Sequence, residues 1–193
     1  MKTVFLLGAI GAGKSTALQM FQSKGATILS ADAVVHDLYQ TDAKLIEQIR
    51  AHFGPVLAGD GSVDRKLLTE HFRSHPEDIL KLEEIVHPRV REKLSNAVDK
   101  APDKIFVCEL PISRPTTDFT LAQAIVVIDA PYELRLQRIM ARGLTREEAV
   151  QRLEFHPNPY IPDSMPVYII NNDADEARLM SQVTNIWEVI SGD

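Results

Sequence analysis

A chain of 193 residues with 45% apolar side chains can bury one sizeable core, which excludes wholesale disorder. Its 27 acidic and 21 basic side chains leave a net charge of −6, which argues against a non-specific nucleic-acid binder, since such proteins need a basic face. No run of about 18 apolar residues occurs, so no membrane-spanning helix is expected. The single cysteine, Cys108, excludes an internal disulfide and suits a reducing, cytoplasmic setting.

Strands and helices alternate along the chain. Met1 to Ile10 carries one positive charge and an apolar stretch, but glycines and Lys14 interrupt it. It therefore reads as a buried strand, Thr3 to Leu7, and not as a signal peptide. A helix is expected from Ser15 to Ser23, then a second strand at Ala26 to Leu29. About seventy residues of helical pattern follow. Within them Ile79, Leu82, Ile85 or Val86, and Val90 form one apolar stripe. Ser74-His75-Pro76-Glu77 reads as a capping box, and Pro88 is expected to break or kink the run. Further strands are expected at Ile105 to Cys108, Ala124 to Ile128 and Val167 to Ile170. Asp129-Ala130-Pro131 precedes a helix holding Leu134 and Ile139, and Thr145-x-x-Glu148 caps the next one. Phe155 to Pro162 is a proline-rich loop, and a last helix carries Leu179, Val183, Ile186, Trp187 and Ile190. Continuous apolar strands separated by helices predict an α/β fold, a five-stranded parallel sheet with helices on both faces.

Gly8-Ala9-Ile10-Gly11-Ala12-Gly13-Lys14-Ser15 fits the phosphate-binding pattern G-x-x-x-x-G-K-[ST], set between an apolar strand and an amphipathic helix. Glycines let the backbone close around phosphate oxygens, and N–H groups at the helix start face the negative charge. Gly8, Gly11, Ala12, Gly13, Lys14, Ser15 and Thr16 are thus expected to bind ATP. Lys14 reaches the β- and γ-phosphates and Ser15 ligates Mg²⁺. The loop leaves the acceptor open. The short chain, the absence of an Asn-Lys-x-Asp guanine-reading motif and a cluster of arginines after the fourth strand favour a small-molecule kinase.

Asp32 follows the second strand, where an open parallel sheet binds ligands. It reads equally as a general base and Mg²⁺ ligand or as a helix N-cap. Glu109 closes the third strand, either holding a Mg²⁺-bound water or standing as a solvated strand end. Arg135, Arg138, Arg142, Arg146 and Arg152 lie beside only Glu147 and Glu148, a local balance of +3. They form either a solvated helix face or a lid that neutralises a transferring phosphoryl group, with Arg138 and Arg142 the catalytic candidates. His87 before Pro88 reads as structural or catalytic, while His36, His52, His71 and His75 read as surface residues.

Together these residues resemble the dephospho-CoA kinase family. The resemblance runs through the phosphate loop and Ala31-Asp32, then Phe53-Gly54 and Asp60-Gly61-Ser62-Val63-Asp64-Arg65 with Leu67-Leu68. It continues in Leu82-Glu83-x-Ile85-x-His87-Pro88 and from Arg138-x-x-x-Arg142 to Thr145-x-Glu147-Glu148-Ala149. The resemblance implies a P-loop kinase fold with an inserted helical substrate-binding subdomain over 36–100 and an arginine-bearing lid over 138–160. It implies transfer of the ATP γ-phosphoryl group to the ribose 3′-hydroxyl of dephospho-coenzyme A, with Mg²⁺, by a monomer or small homo-oligomer. Asp32 then becomes the base, Arg65 and His87 acceptor-side residues, and Asn172 a neighbour of the adenine site. Three places depart from the family pattern. Pro111-Ile112-Ser113-Arg114-Pro115 stands where it has Pro-Leu-Leu-(Phe/Tyr)-Glu, His156 where it often has glutamine, and Pro166-Val167 where it has Ala-Asp. Competing expectations are a kinase for another small acceptor and a nucleotide-binding protein without transfer activity.

Overall fold

The computed structural model describes residues 3–101, 104–111, 113–156 and 158–192. Met1, Lys2, Ile112 and Pro157, which fall within segments read above, lie outside them. The described chain divides into two compact units, one formed by residues 1–30 and 101–193, the other by 31–100.

The first unit holds the sheet. Its strands are β1 (Thr3–Gly8), β2 (Thr27–Ser30), β3 (Phe106–Glu109), β4 (Ala124–Asp129) and β5 (Val167–Asn171). They run parallel in the order β2-β3-β1-β4-β5. The three inner strands are apolar in sequence because both faces are covered. On one face Val4, Leu6, Val126, Ile128 and Ile170 pack with Phe21 of α1 (Lys14–Ser23) and Leu179 and Val183 of α8 (Glu176–Ser191). Phe5, Cys108 and Ile125 are equally buried and share one register row of the opposite face. A smaller core joins Leu136 and Ile139 of α6 (Tyr132–Met140) to Ala149 and Leu153 of α7 (Arg146–Phe155). The expected capping box at α7 is formed: the Glu148 amide donates to the Thr145 hydroxyl at 3.3 Å and the Thr145 amide to the Glu148 carboxylate at 2.8 Å.

The second unit is helical: α2 (Ala31–Thr41), α3 (Ala43–Phe53), α4 (Arg65–Ser74) and α5 (Asp78–Asp99). Of the break or kink expected at Pro88, the break does not occur: α5 continues to Asp99. Proline removes one amide donor and strands the carbonyl four residues back. Pro88 and Glu84 both face solvent, so water can satisfy that carbonyl, while Val86, Val90 and Leu94 stay buried along the helix. Nor do Ser74 to Glu77 form a capping box, for α5 begins at Asp78 with Glu77 as an uncapped N-terminus. Asp78 instead accepts from His71 Nε2 at 2.7 Å, and the His71 ring stacks on His75 and sits edge-on to Phe53. His71 is thus a packed linker of helix ends and not the surface residue expected; its side chain is 20% exposed.

Candidate active site

The phosphate loop runs from Gly8 into α1. Gly11 (φ +77°) and Gly13 (φ +101°) adopt left-handed backbone that L side chains resist. Space forbids a side chain there too. A Cβ on Gly11 would lie 2.8 Å from the Arg135 carbonyl oxygen, and one on Gly13 would collide with the Asn172 amide. Lys14 is folded back, its Nζ donating to the Gly8 carbonyl at 2.8 Å and the Ala9 carbonyl at 3.3 Å. Burial lowers its pKa, the nearby Glu109 carboxylate opposes that, and Arg142 adds to the lowering. Glu109 and Arg142, both from the expected set, are thus near enough for their charges to act on Lys14. Ser15 and Thr16 stand exposed on the first turn of α1, and Glu109 is half-buried at the end of β3.

Arg138 has a different environment from Arg142. Its Nη1 donates to the Gly11 and Ala12 carbonyls at 3.4 and 3.3 Å. Its Nη2 donates to the Asn172 backbone and side-chain oxygens, each at 3.2 Å. Asn172, only 6% exposed, returns Nδ2 to the Ala12 carbonyl at 2.7 Å. Arg138 and Asn172 therefore brace the phosphate loop from α6 and from the end of β5. Beside them Thr16, Arg142, Asn172, Ala174 and Leu179 line a cleft of about 350 Å³, within the range of small-ligand sites. His156, at the end of α7, feels the charge of Arg152 and Lys14; burial foremost, then those cations, lower its pKa. Cys108 is inert by environment, its thiol pushed up to about 12 by burial and by Glu109.

In the helical unit the Asp60 to Arg65 motif has a physical explanation. Asp60 accepts from the Ser62 amide at 3.0 Å and hydroxyl at 2.7 Å, closing a turn at Gly61 (φ +84°). The Val63 amide then donates to the Tyr39 carbonyl at 2.9 Å, docking the loop on α2. Asp64 caps α4 through the Lys66 and Leu67 amides at 2.8 and 3.1 Å. These steps put Arg65 on the first turn of α4, where its Nη2 meets Asp32 Oδ1 at 3.5 Å. Asp32 is the second residue of α2 and its side chain is 57% exposed, so the carboxylate is accessible as well as paired. Tyr39, two turns along the same helix, was absent from the expected set. It is buried, its phenol is pushed up to about 12 chiefly by burial, and the Arg65 and Asp32 charges both act on it. The seven-residue spacing from Asp32 is the signal that could have found it. His87 stands exposed on α5, joined to neither Asp32 nor Arg65 by a hydrogen bond or ion pair among the described residues.

The family model for dephospho-CoA kinase matches residues 2–177. A dephospho-CoA kinase of Bartonella quintana is 32% identical over 195 residues, covering 97% of each chain. One of Aquifex aeolicus is 29% identical over 203 residues, covering all of both. The solved dephospho-CoA kinase of Campylobacter jejuni superposes with a TM-score of 0.69 at 29% identity, over 100% of this chain and 99% of that one. The phosphate cradle, the post-strand aspartate and its arginine partner thus sit in a sequence matched nearly from end to end, and the chain belongs to the dephospho-CoA kinase family.

Proposed function

We propose that this protein transfers the γ-phosphoryl group of ATP to the ribose 3′-hydroxyl of dephospho-coenzyme A, the last step of coenzyme A formation. The observation that carries the reading is the Lys14 cradle with Glu109 and Arg142 around it, in a chain matched by the family model over residues 2–177. The backbone amides at the start of α1 hold the triphosphate. Lys14 exchanges two carbonyl oxygens for the β- and γ-phosphates, a move of one flexible side chain. Arg142 offsets charge on the transferring group. Arg138, with Asn172, keeps the loop in shape and borders the nucleoside cleft. Asp32 takes the proton of the 3′-hydroxyl, and Arg65 holds that carboxylate in position.

The donors also suit Mg²⁺, a hard cation bound by few protein oxygens plus phosphates and water. Ser15, exposed at the helix start, and Glu109, close enough to act on Lys14, offer such oxygens. Held by these oxygens, Mg²⁺ would offset negative charge on the phosphates during transfer. We place the enzyme in the cytoplasm, where ATP is made and a lone buried thiol stays reduced. No described helix is long and apolar enough to cross a membrane.

The test is incubation with ATP, Mg²⁺ and dephospho-coenzyme A, with coenzyme A read by mass. Product that disappears in Lys14→Ala is the expected result. No product from a wild type that still binds ATP would move the assignment to another acceptor or to a non-catalytic role.

A further inference from the structure

We infer that Ser113 is a positioning residue that fastens the returning end of the arginine-bearing segment, and that this fastening keeps the γ-phosphoryl group from being passed to water. The inference rests on the phosphotransfer reading above.

The fastening is a two-way bond between loops 47 residues apart. The Ser113 hydroxyl donates to the Tyr160 carbonyl at 2.8 Å, and the Tyr160 amide donates to the Ser113 carbonyl at 3.2 Å. Ser113 is 4% exposed, so the hydroxyl is removed from water and its loss would leave the Tyr160 carbonyl without that partner. The platform under it is stiff. The Arg114 amide donates to the Thr117 hydroxyl at 2.8 Å and the Thr117 amide returns to the Arg114 carbonyl at 2.9 Å. Beneath lies an aromatic column, Tyr160 to Phe119 at 6.4 Å and Phe119 to Phe5 of β1 at 6.0 Å.

The other partner is the segment from α7 back to β5. Pro159 and Pro162 flank Tyr160 and Ile161 and have no amide hydrogen. A segment so short of donors has few ways to be tied down, and the Tyr160 amide is one it uses. Four residues before Tyr160 is His156, which feels the charge of Lys14. Arg138 and Arg142 lie upstream on the same excursion of chain. Anchoring Tyr160 therefore limits how far the end of α7 can swing from the phosphate loop.

The consequence is a competition between acceptors. A segment that opens too readily admits water, which attacks the γ-phosphorus in place of the 3′-hydroxyl. The bond from phosphorus to the β,γ-bridging oxygen breaks, a bond to the water oxygen forms, and ADP, inorganic phosphate and a proton leave. Closure that excludes water suppresses this loss.

The experiment compares wild type, Ser113→Ala and Ser113→Thr, the last retaining the hydroxyl. Amide hydrogen exchange is followed by mass spectrometry on the peptide spanning 158–165. ADP and coenzyme A are counted with ATP, Mg²⁺ and dephospho-coenzyme A present. In Ser113→Ala the Tyr160 amide should exchange about fivefold faster, the effect of one lost buried hydrogen bond on local opening. ADP per coenzyme A should rise above the wild-type ratio, and Ser113→Thr should restore both readings. Unchanged exchange in Ser113→Ala overturns the fastening itself. Faster exchange at an unchanged ratio overturns its role in excluding water. A wild type that makes no coenzyme A overturns the acceptor reading, while the exchange result still decides the fastening.

Discussion

His156 shows how one side chain's surroundings set a pH dependence. It stands where the family pattern often has glutamine, and burial, Arg152 and Lys14 all disfavour its charged form. Its pKa in the folded chain is therefore below the ordinary 6.5. Below that pH the unfolded chain takes up a proton that the folded chain resists, so falling pH costs stability until the lowered folded pKa is passed. Above 6.5 both states are neutral and the term vanishes. Glutamine cannot titrate. Going from about pH 7.5 to about pH 5.5, the melting temperature of wild type should fall further than that of His156→Gln. Parallel curves for the two proteins would show that His156 is not held neutral by the fold.

At the scale of elements, two helix starts with the same local chemistry have different jobs. Thr145 caps α7 with a reciprocal box, and its work is complete within that helix. Asp64 caps α4 and, by doing so, also fixes the first turn that carries Arg65 to Asp32. Asp64→Ala should therefore lower unfolding free energy by about 1 kcal/mol, the usual value of such a cap. Beyond that it should raise KM for dephospho-coenzyme A more than it raises KM for ATP. Denaturant melts and steady-state kinetics read the two effects, and equal changes in both KM values would separate the cap from Arg65 placement. The same elements show why sequence reading reached as far as it did. Five apolar runs of strand length, and caps whose residues bond only to their own helix, carry their signal locally. The break at Pro88 misled because what overrides it is tertiary: buried Val86, Val90 and Leu94 on one side, solvent for the freed carbonyl on the other. The Ser74 to Glu77 start misled for a similar reason, since Asp78 is engaged by His71 from the preceding helix. In the site, the phosphate loop was legible because its glycines are demanded by backbone geometry. The bracing role of Arg138, the Asp32–Arg65 pair and the Ser113–Tyr160 bonds were not. Each joins residues more than thirty positions apart, and no spacing rule reports such contacts.

At the scale of the whole molecule, the candidate roles are divided between two units. Lys14, Ser15, Glu109, Arg138, Arg142 and Asn172 belong to the sheet-bearing unit, while Asp32, Arg65 and His87 belong to the helical one. If nucleotide binding is the property of the first set, damage to the second should leave it intact. ATP at a hundredfold excess over its Kd stabilises a protein by about 2.7 kcal/mol, a rise of roughly 5–10 °C for a chain of this size. Asp32→Ala should keep that rise in full, because a carboxylate on α2 adds nothing to the cradle formed by Gly8 to Thr16. Its turnover should nevertheless fall by about 10²–10⁴, the usual range for removing a general base. Lys14→Ala should show the opposite order of loss: the ATP-induced rise shrinks first, and turnover falls with it, because the same ammonium serves both ground-state binding and the charge of the transferring group. Thermal shifts with and without ATP, paired with single-turnover rates, distinguish the two variants. Asp32→Ala with normal turnover would remove it as the base. Asp32→Ala that loses the ATP shift would instead make nucleotide binding depend on the helical unit as well, and Asp32 would then serve binding and not the proton transfer alone.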